Sequence, residues 1–136
     1  MSALKILLVD DEVELLSEIA RHLRRRGHNV ETADSFAGGQ DLIDGAVDPD
    51  VLITDVRMPG GNGLDLARRA RARHERCRIV VITGHLDRTQ VGSAKAAGAC
   101  AVLFKPFSCA KLVETIMANG AAPELRAPVA LAAGDD

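Results

Sequence analysis

The chain has 136 residues, enough for one domain of ordinary size with a real core, and a hydrophobic fraction of 47% with 26% charged residues is globular composition, its apolar runs too short to cross a membrane. A formal net charge of -2 argues against nucleic-acid binding by bulk electrostatics. Cys77, Cys100 and Cys109 form no CxxC pair and have no histidine at zinc spacing, so neither a disulfide framework nor a structural metal site is expected, and a reducing cytoplasm is the natural setting.

Residues 4–9 read as a buried strand that Asp10-Asp11-Glu12 ends after six residues, shorter than the core of an export signal. Leu15, Leu16, Ile19, Ala20 and Leu23 share one face of a following helix, which Gly27 closes. A weaker alternating segment at 28–33 predicts a second strand, with Ser35 as cap of the second helix. Residues 51–54 predict the third strand. After it, Pro59, Gly60 and Gly61 suit an irregular loop, Gly63 is free to take backbone angles that other residues resist, and Asn62 caps the third helix. Residues 79–82 predict the fourth strand. Asp87 caps a fourth helix reaching to 97, where Gly92 and many small residues imply low intrinsic stability. Residues 101–104 predict the fifth strand, and Ser108 caps a fifth helix with an apolar stripe through Leu112, Val113, Ile116 and Met117.

The arginines at Arg24-Arg25-Arg26 and from Arg68 to Arg78 read as solvated helix faces and helix C-termini, where cations favour the helix dipole. Residues 121–136 hold two prolines and no sustained apolar face, so the expected domain is 1–120 with a mobile tail or linker stub behind it.

Five strands alternating with five helices imply a doubly wound five-stranded parallel sheet with helices on both faces, a three-layer α/β sandwich of flavodoxin type. In such sheets the functional site lies outside the carboxyl ends of the strands, near the switch in strand order. Asp10 and Asp11 follow the first strand, Asp55 the third, Thr83 closes the fourth and Lys105 the fifth. Singly, each has a bland explanation as a helix cap or a water-facing strand end. Together, three carboxylates need a compensating cation, oxygen ligands of this kind suit Mg²⁺, and Lys105 adds a second positive charge. A carboxylate can attack phosphorus to form an acyl phosphate, with a metal ion and an ammonium stabilising the transferring group.

At this point Leu8-Val9-Asp10-Asp11-Glu12, Asp55-Val56-Arg57-Met58-Pro59-Gly60 with Gly63, Ile82-Thr83-Gly84 and Lys105-Pro106-Phe107 resemble, in order and spacing, the receiver domains of two-component response regulators, the CheY-like family. The resemblance implies that Asp55 accepts a phosphoryl group from a phosphohistidine on a histidine kinase or phosphotransfer protein. It also implies that Asp11 and Asp55 hold Mg²⁺ (or Mn²⁺) directly, Asp10 largely through water, and the Arg57 backbone carbonyl as a further ligand. Lys105 would contact the phosphate, Thr83 would swing toward it, and the Lys105–Pro106 peptide is expected to be cis. Arg57 and His85, two positions beyond Asp55 and Thr83, would tune loss of the phosphate. The partners implied are the kinase or phosphotransfer protein and a downstream target or output domain, docking on the fourth helix, fifth strand and fifth helix. Phosphorylation-dependent pairing of two copies is a further expectation, in a stand-alone regulator or a receiver from a longer one.

The sequence departs from the family pattern in one place. Most relatives carry an aromatic residue three positions before the lysine, and this chain has Val102. Strand alternation puts Phe104 on the same face, so Phe104 or repacking of the fourth helix is expected to carry part of the signal. Two other classes compete. An aspartate-nucleophile phosphatase usually needs an acid two residues after the nucleophile, where this chain has Arg57, and an adaptor without phosphorylation is disfavoured by the complete set of acceptor-site residues.

Overall fold

A computed structural model of the chain describes residues 3–46, 48–84 and 88–118, with only the backbone described at 88–90. Five strands, β1 (Lys5–Val9), β2 (Asn29–Ala33), β3 (Val51–Asp55), β4 (Arg78–Thr83) and β5 (Ala99–Phe104), form one parallel sheet in the order β2-β1-β3-β4-β5. Five helices alternate with them: α1 (Val13–Arg25), α2 (Phe36–Gly45), α3 (Gly63–Arg73), α4 (Arg88–Ala96) and α5 (Cys109–Ala118). This is the doubly wound flavodoxin-type sandwich that the alternation of apolar runs predicts.

Period-two alternation sorts the strand residues into two cores. Ile6, Leu8, Val51, Ile53, Val80, Ile82 and Leu103 face α1 and α5, packing with Ile19, Leu23, Leu112 and Ile116. Leu7, Val9, Leu52, Ile79, Val81 and Val102 face the opposite way, onto Ile43, Leu66, Ala67 and Ala94 of α2, α3 and α4. Most of these side chains are fully buried, and each buried aliphatic group contributes about 1.5–3 kcal/mol.

The helix ends follow local chemistry. Ser35 Oγ accepts from Gly38 N–H, Asn62 Oδ1 from Leu64 N–H and Ser108 Oγ from Lys111 N–H. At the end of α1, Gly27 takes φ 94°, with Gly27 N–H donating to the Arg24 carbonyl and His28 N–H to that of Leu23, a Schellman closure. Asp87, the expected cap of the fourth helix, and the segment 121–136 lie outside the described residues.

Three local readings need correction. Arg78 is not on a solvated helix face: it begins β4, is 7% exposed, and its guanidinium donates to the Ile116 carbonyl near the end of α5. The fifth strand starts two residues early because Ala99 pairs with Ile79 and Ala101 with Val80, leaving Cys100 as the extra residue of a bulge whose thiol donates to the Ile79 carbonyl at 3.3 Å. The loop after β3 is not irregular, since Arg57–Met58 and Gly61–Asn62 pair as a short antiparallel ladder.

Burial also sorts the cysteines. Burial pushes the Cys77 thiol up to about 12, and Cys100 is equally enclosed, whereas Cys109 at the start of α5 is partly exposed. Alkylation of the native chain near pH 8 is expected to label Cys109 alone, with all three thiols labelled in denaturant. Mass spectrometry checks this, and labelling of Cys77 as fast as Cys109 in the native chain would show that the core around it opens.

Candidate functional site

The strand order reverses between β1 and β3, and the acidic residues at the carboxyl ends of these two strands meet there. Asp10 follows β1 and is fully buried; Asp55 ends β3 and is 7% exposed. Asp11 completes the group, and each of the three carboxylates offers an oxygen within 4.8 Å of the others. Local hydrogen bonds set the two buried ones: Asp10 Oδ1 accepts from Glu12 N–H at 2.8 Å, and Asp55 Oδ1 from Val56 N–H at 2.7 Å.

Lys105, just beyond β5, supplies the balancing charge. Its Nζ lies 3.0 Å from Asp55 Oδ2 as a hydrogen bond and 3.0 Å from Asp10 Oδ2 as an ion pair, and it also bonds Glu12 Oε1. Burial alone would lower the ammonium, but the contacts with Glu12, Asp10 and Asp55 outweigh it and hold Lys105 above the ordinary lysine value. Burial raises the Asp10 carboxyl above the usual carboxylate range, against the opposing bond from Glu12 N–H and the pull of Lys105. The Lys105–Pro106 peptide is cis, and Lys105 N–H donates to the Thr83 carbonyl at 2.7 Å, joining the ends of β4 and β5 beside the cluster. Thr83 itself is fully buried, directly opposite Phe104 in the ladder.

The cluster opens onto a depression of about 480 Å³ lined by Asp11, Glu12, Asp55, Arg57, Gly84, Lys105 and Pro106. The Arg57 side chain is exposed, with its backbone held in the short ladder opposite Asn62. A roomier depression of about 580 Å³ lies at the other end of the sheet, lined by Asp48, Asp50, His74 and Arg76 among others. Its acids, Asp48, Asp50 and Glu75, are not gathered in this way, and among the described residues Asp10, Asp11 and Asp55 are the one such group. The donor set of the first depression fits Mg²⁺: it is all oxygen, and Asp10 Oδ2 is buried without a hydrogen-bond partner.

Five of the residues predicted from the sequence, Asp10, Asp11, Asp55, Thr83 and Lys105, thus stand at adjacent strand ends. His85 lies outside the described residues. Val102 and Phe104 share the face of β5 that packs on the α2–α3–α4 side, Val102 fully buried and Phe104 partly. Glu12 was given no role from the sequence although it touches Lys105; its only signal was a third acid directly after the acidic pair. Gly63 needs its missing side chain for space and not for unusual backbone angles. Among the described glycines positive φ occurs at Gly27, Gly60 and Gly98 but not at Gly63, where an added Cβ would lie 1.6 Å from the Asp55 carbonyl oxygen.

Comparison with known proteins agrees with this architecture. The model of the response regulator receiver domain matches residues 6–117. The photosynthetic apparatus regulatory protein RegA of Cereibacter sphaeroides is 36% identical over 115 residues, which cover 85% of this chain and 62% of RegA, so the chain spans about three fifths of that relative's length. A CheY-like receiver domain protein from Methanospirillum hungatei superposes with a TM-score of 0.81 at 26% identity, covering 86% of this chain and 93% of that one. A Burkholderia pseudomallei response regulator with a phosphorylated aspartic acid and a calcium ion superposes with a TM-score of 0.78 at 25% identity, covering 96% and 72%. With the matched region spanning all five strands and the acidic strand ends, the chain belongs to the response regulator receiver domain family.

Proposed function

We propose that the chain is a phosphorylation-controlled signalling switch, with Asp55 as its phosphoryl acceptor. The observation that carries this reading is the gathering of Asp10, Asp11 and Asp55 around one ammonium, Lys105, at the mouth of an open depression. In the reaction an oxygen of Asp55 attacks the phosphorus of a phosphohistidine on a partner kinase or phosphotransfer protein. The O–P bond forms as the N–P bond breaks, and the departing imidazole nitrogen takes up a proton. Lys105 donates to a phosphoryl oxygen, and Val56 N–H holds the carboxylate in place. Mg²⁺ (or Mn²⁺), held by Asp11, Asp55, the Arg57 carbonyl and Asp10 through water, would neutralise charge on the transferring group. Thr83 then bonds the new phosphoryl group, and the shift passes through Phe104 and α4 to the face formed by α4, β5 and α5, where a target, an output domain or a second copy docks. Arg57 and His85 tune the lifetime of the acyl phosphate. The calcium ion and phosphorylated aspartate of the Burkholderia relative are consistent with this chemistry. Among the described residues no helix is long and apolar enough to cross a membrane, and the proposed setting is the cytoplasm.

Incubation with acetyl phosphate and Mg²⁺ tests the reading. The expected result is about one phosphoryl group per chain by intact mass, and none after chelation of the metal. Continuous release of phosphate from a phosphomonoester would instead identify a phosphatase, and absence of any incorporation an adaptor.

A further inference from the structure

We propose that Glu12 is a tether for Lys105 that competes with a phosphoryl group on Asp55 and so sets how readily the site takes that group up; the inference rests on the reading of Asp55 given above. An ammonium has three N–H donors. In Lys105 two of them are hydrogen-bonded, to Asp55 Oδ2 and Glu12 Oε1, and Asp10 Oδ2 lies 3.0 Å from Nζ as an ion pair without a hydrogen bond. A phosphoryl group on Asp55 presents further charged oxygens to the ammonium, and as its donors turn to them a contact with another carboxylate gives way.

Exposure decides which. The side chain of Asp10 is 0% exposed, so releasing it leaves a buried charge without its cation, whereas Asp55 itself carries the phosphoryl group and its negative oxygens. The side chain of Glu12 is 58% exposed, and water replaces the lysine there at little cost. The backbone prepares this arrangement. Glu12 occupies the residue before α1, in extended conformation, yet its side chain makes no cap bond. Its N–H is held by Asp10 Oδ1, which fixes the root of the side chain beside the acidic pair while its carboxylate reaches a lysine 93 positions away. The contact joins the start of α1 to the end of β5 across the mouth of the cleft. It holds Lys105 in place before phosphorylation and opposes its transfer to the phosphoryl group.

Binding of beryllofluoride, an anionic mimic of the phosphoryl group, tests the tether by calorimetry at saturating Mg²⁺. The variants are Glu12→Ala and Glu12→Asp, with Mg²⁺ affinity and melting temperature measured separately. Aspartate keeps the charge but is one methylene shorter and is a preferred cap, so it turns back onto the α1 N–H groups and lets go of Lys105. A tether predicts that both variants bind beryllofluoride about three- to tenfold tighter than the unaltered chain, with no gain in Mg²⁺ affinity and no shift in melting. Tightening in Glu12→Ala alone would mean that only the charge at this position matters, and it overturns the tether, as does tightening in neither variant. Failure of the unaltered chain to bind beryllofluoride overturns the Asp55 reading and the tether with it, whereas binding that no Glu12 variant alters overturns the tether alone.

Discussion

Asp55→Asn is expected to take phosphoryl incorporation from about one group per chain to none, the largest functional effect of any single substitution in this site. An amide oxygen is a poor nucleophile toward phosphorus, and no neighbouring carboxylate stands in the same place. Asp10 is fully buried, with one oxygen on Glu12 N–H and the other against Lys105, while Asp11 lies after β1 and not at the end of β3. The substitution is gentle on the fold, because the side-chain oxygen of asparagine can still accept from Val56 N–H, the bond that orients residue 55. A melting temperature close to that of the parent should therefore accompany the complete loss of incorporation. Intact mass after treatment with acetyl phosphate and Mg²⁺ reads the result. Full incorporation in Asp55→Asn would place the acceptor elsewhere.

The architecture was legible because four of the five strands carry an uninterrupted apolar run, β2 a weaker alternating one, and helices cover both faces of the sheet, so period and order were enough. The site was legible because a parallel sheet exposes its functional groups at one end, which made Asp10, Asp11, Asp55, Thr83 and Lys105 neighbours before any coordinates. What escaped were features that depend on contacts between distant segments. Arg78 inside a strand makes sense only once its guanidinium is seen on the Ile116 carbonyl, and nothing in the local pattern of charge announces that bond. The bulge at Cys100 is a matter of register between β4 and β5, which composition does not encode. Glu12 looked like one more acid at a helix start until the fold brought Lys105 to it.

The coupling of Lys105 to β4 has a further consequence for signalling. Lys105 N–H bonds the Thr83 carbonyl, Thr83 lies opposite Phe104, and Val102 and Phe104 face the α2–α3–α4 core. A movement of the Lys105 or Thr83 side chain therefore acts on a strand end whose neighbours are packed, and the valine at 102, already fully buried, has no outward position to leave. Under the proposed function this shifts the burden of reporting to Phe104, which is partly buried and has room to change its packing.

Gly63→Ala is expected to destabilise the chain by about 3 kcal/mol, whereas Gly61→Ala should cost about 1 kcal/mol and be relieved by a second change. Gly61 lies in the connection between β3 and α3 and Gly63 is the first residue of α3, and an added Cβ collides at each, but with different neighbours. At Gly63 it meets the Asp55 carbonyl oxygen at 1.6 Å and the Asp55 carbonyl carbon at 2.8 Å, which is backbone belonging to the sheet and to the proposed acceptor itself. Gly63 N–H also donates to the Val56 carbonyl at 2.6 Å, so the chain cannot back away without breaking the bond that folds the loop over the site. At Gly61 the added carbon meets the ring of Phe36 at 2.4 Å, and that ring belongs to a partly buried side chain at the start of α2. Combining Gly61→Ala with Phe36→Ala should therefore be less costly than the sum of the two single changes, with a coupling of about 1 kcal/mol, while Phe36→Ala should do nothing for Gly63→Ala. Urea unfolding followed by circular dichroism, suited to a chain without tryptophan or tyrosine, measures all five variants. An unchanged unfolding midpoint in Gly63→Ala would mean that the connection can move off Asp55, and the rigidity argued for the acceptor would then be lost.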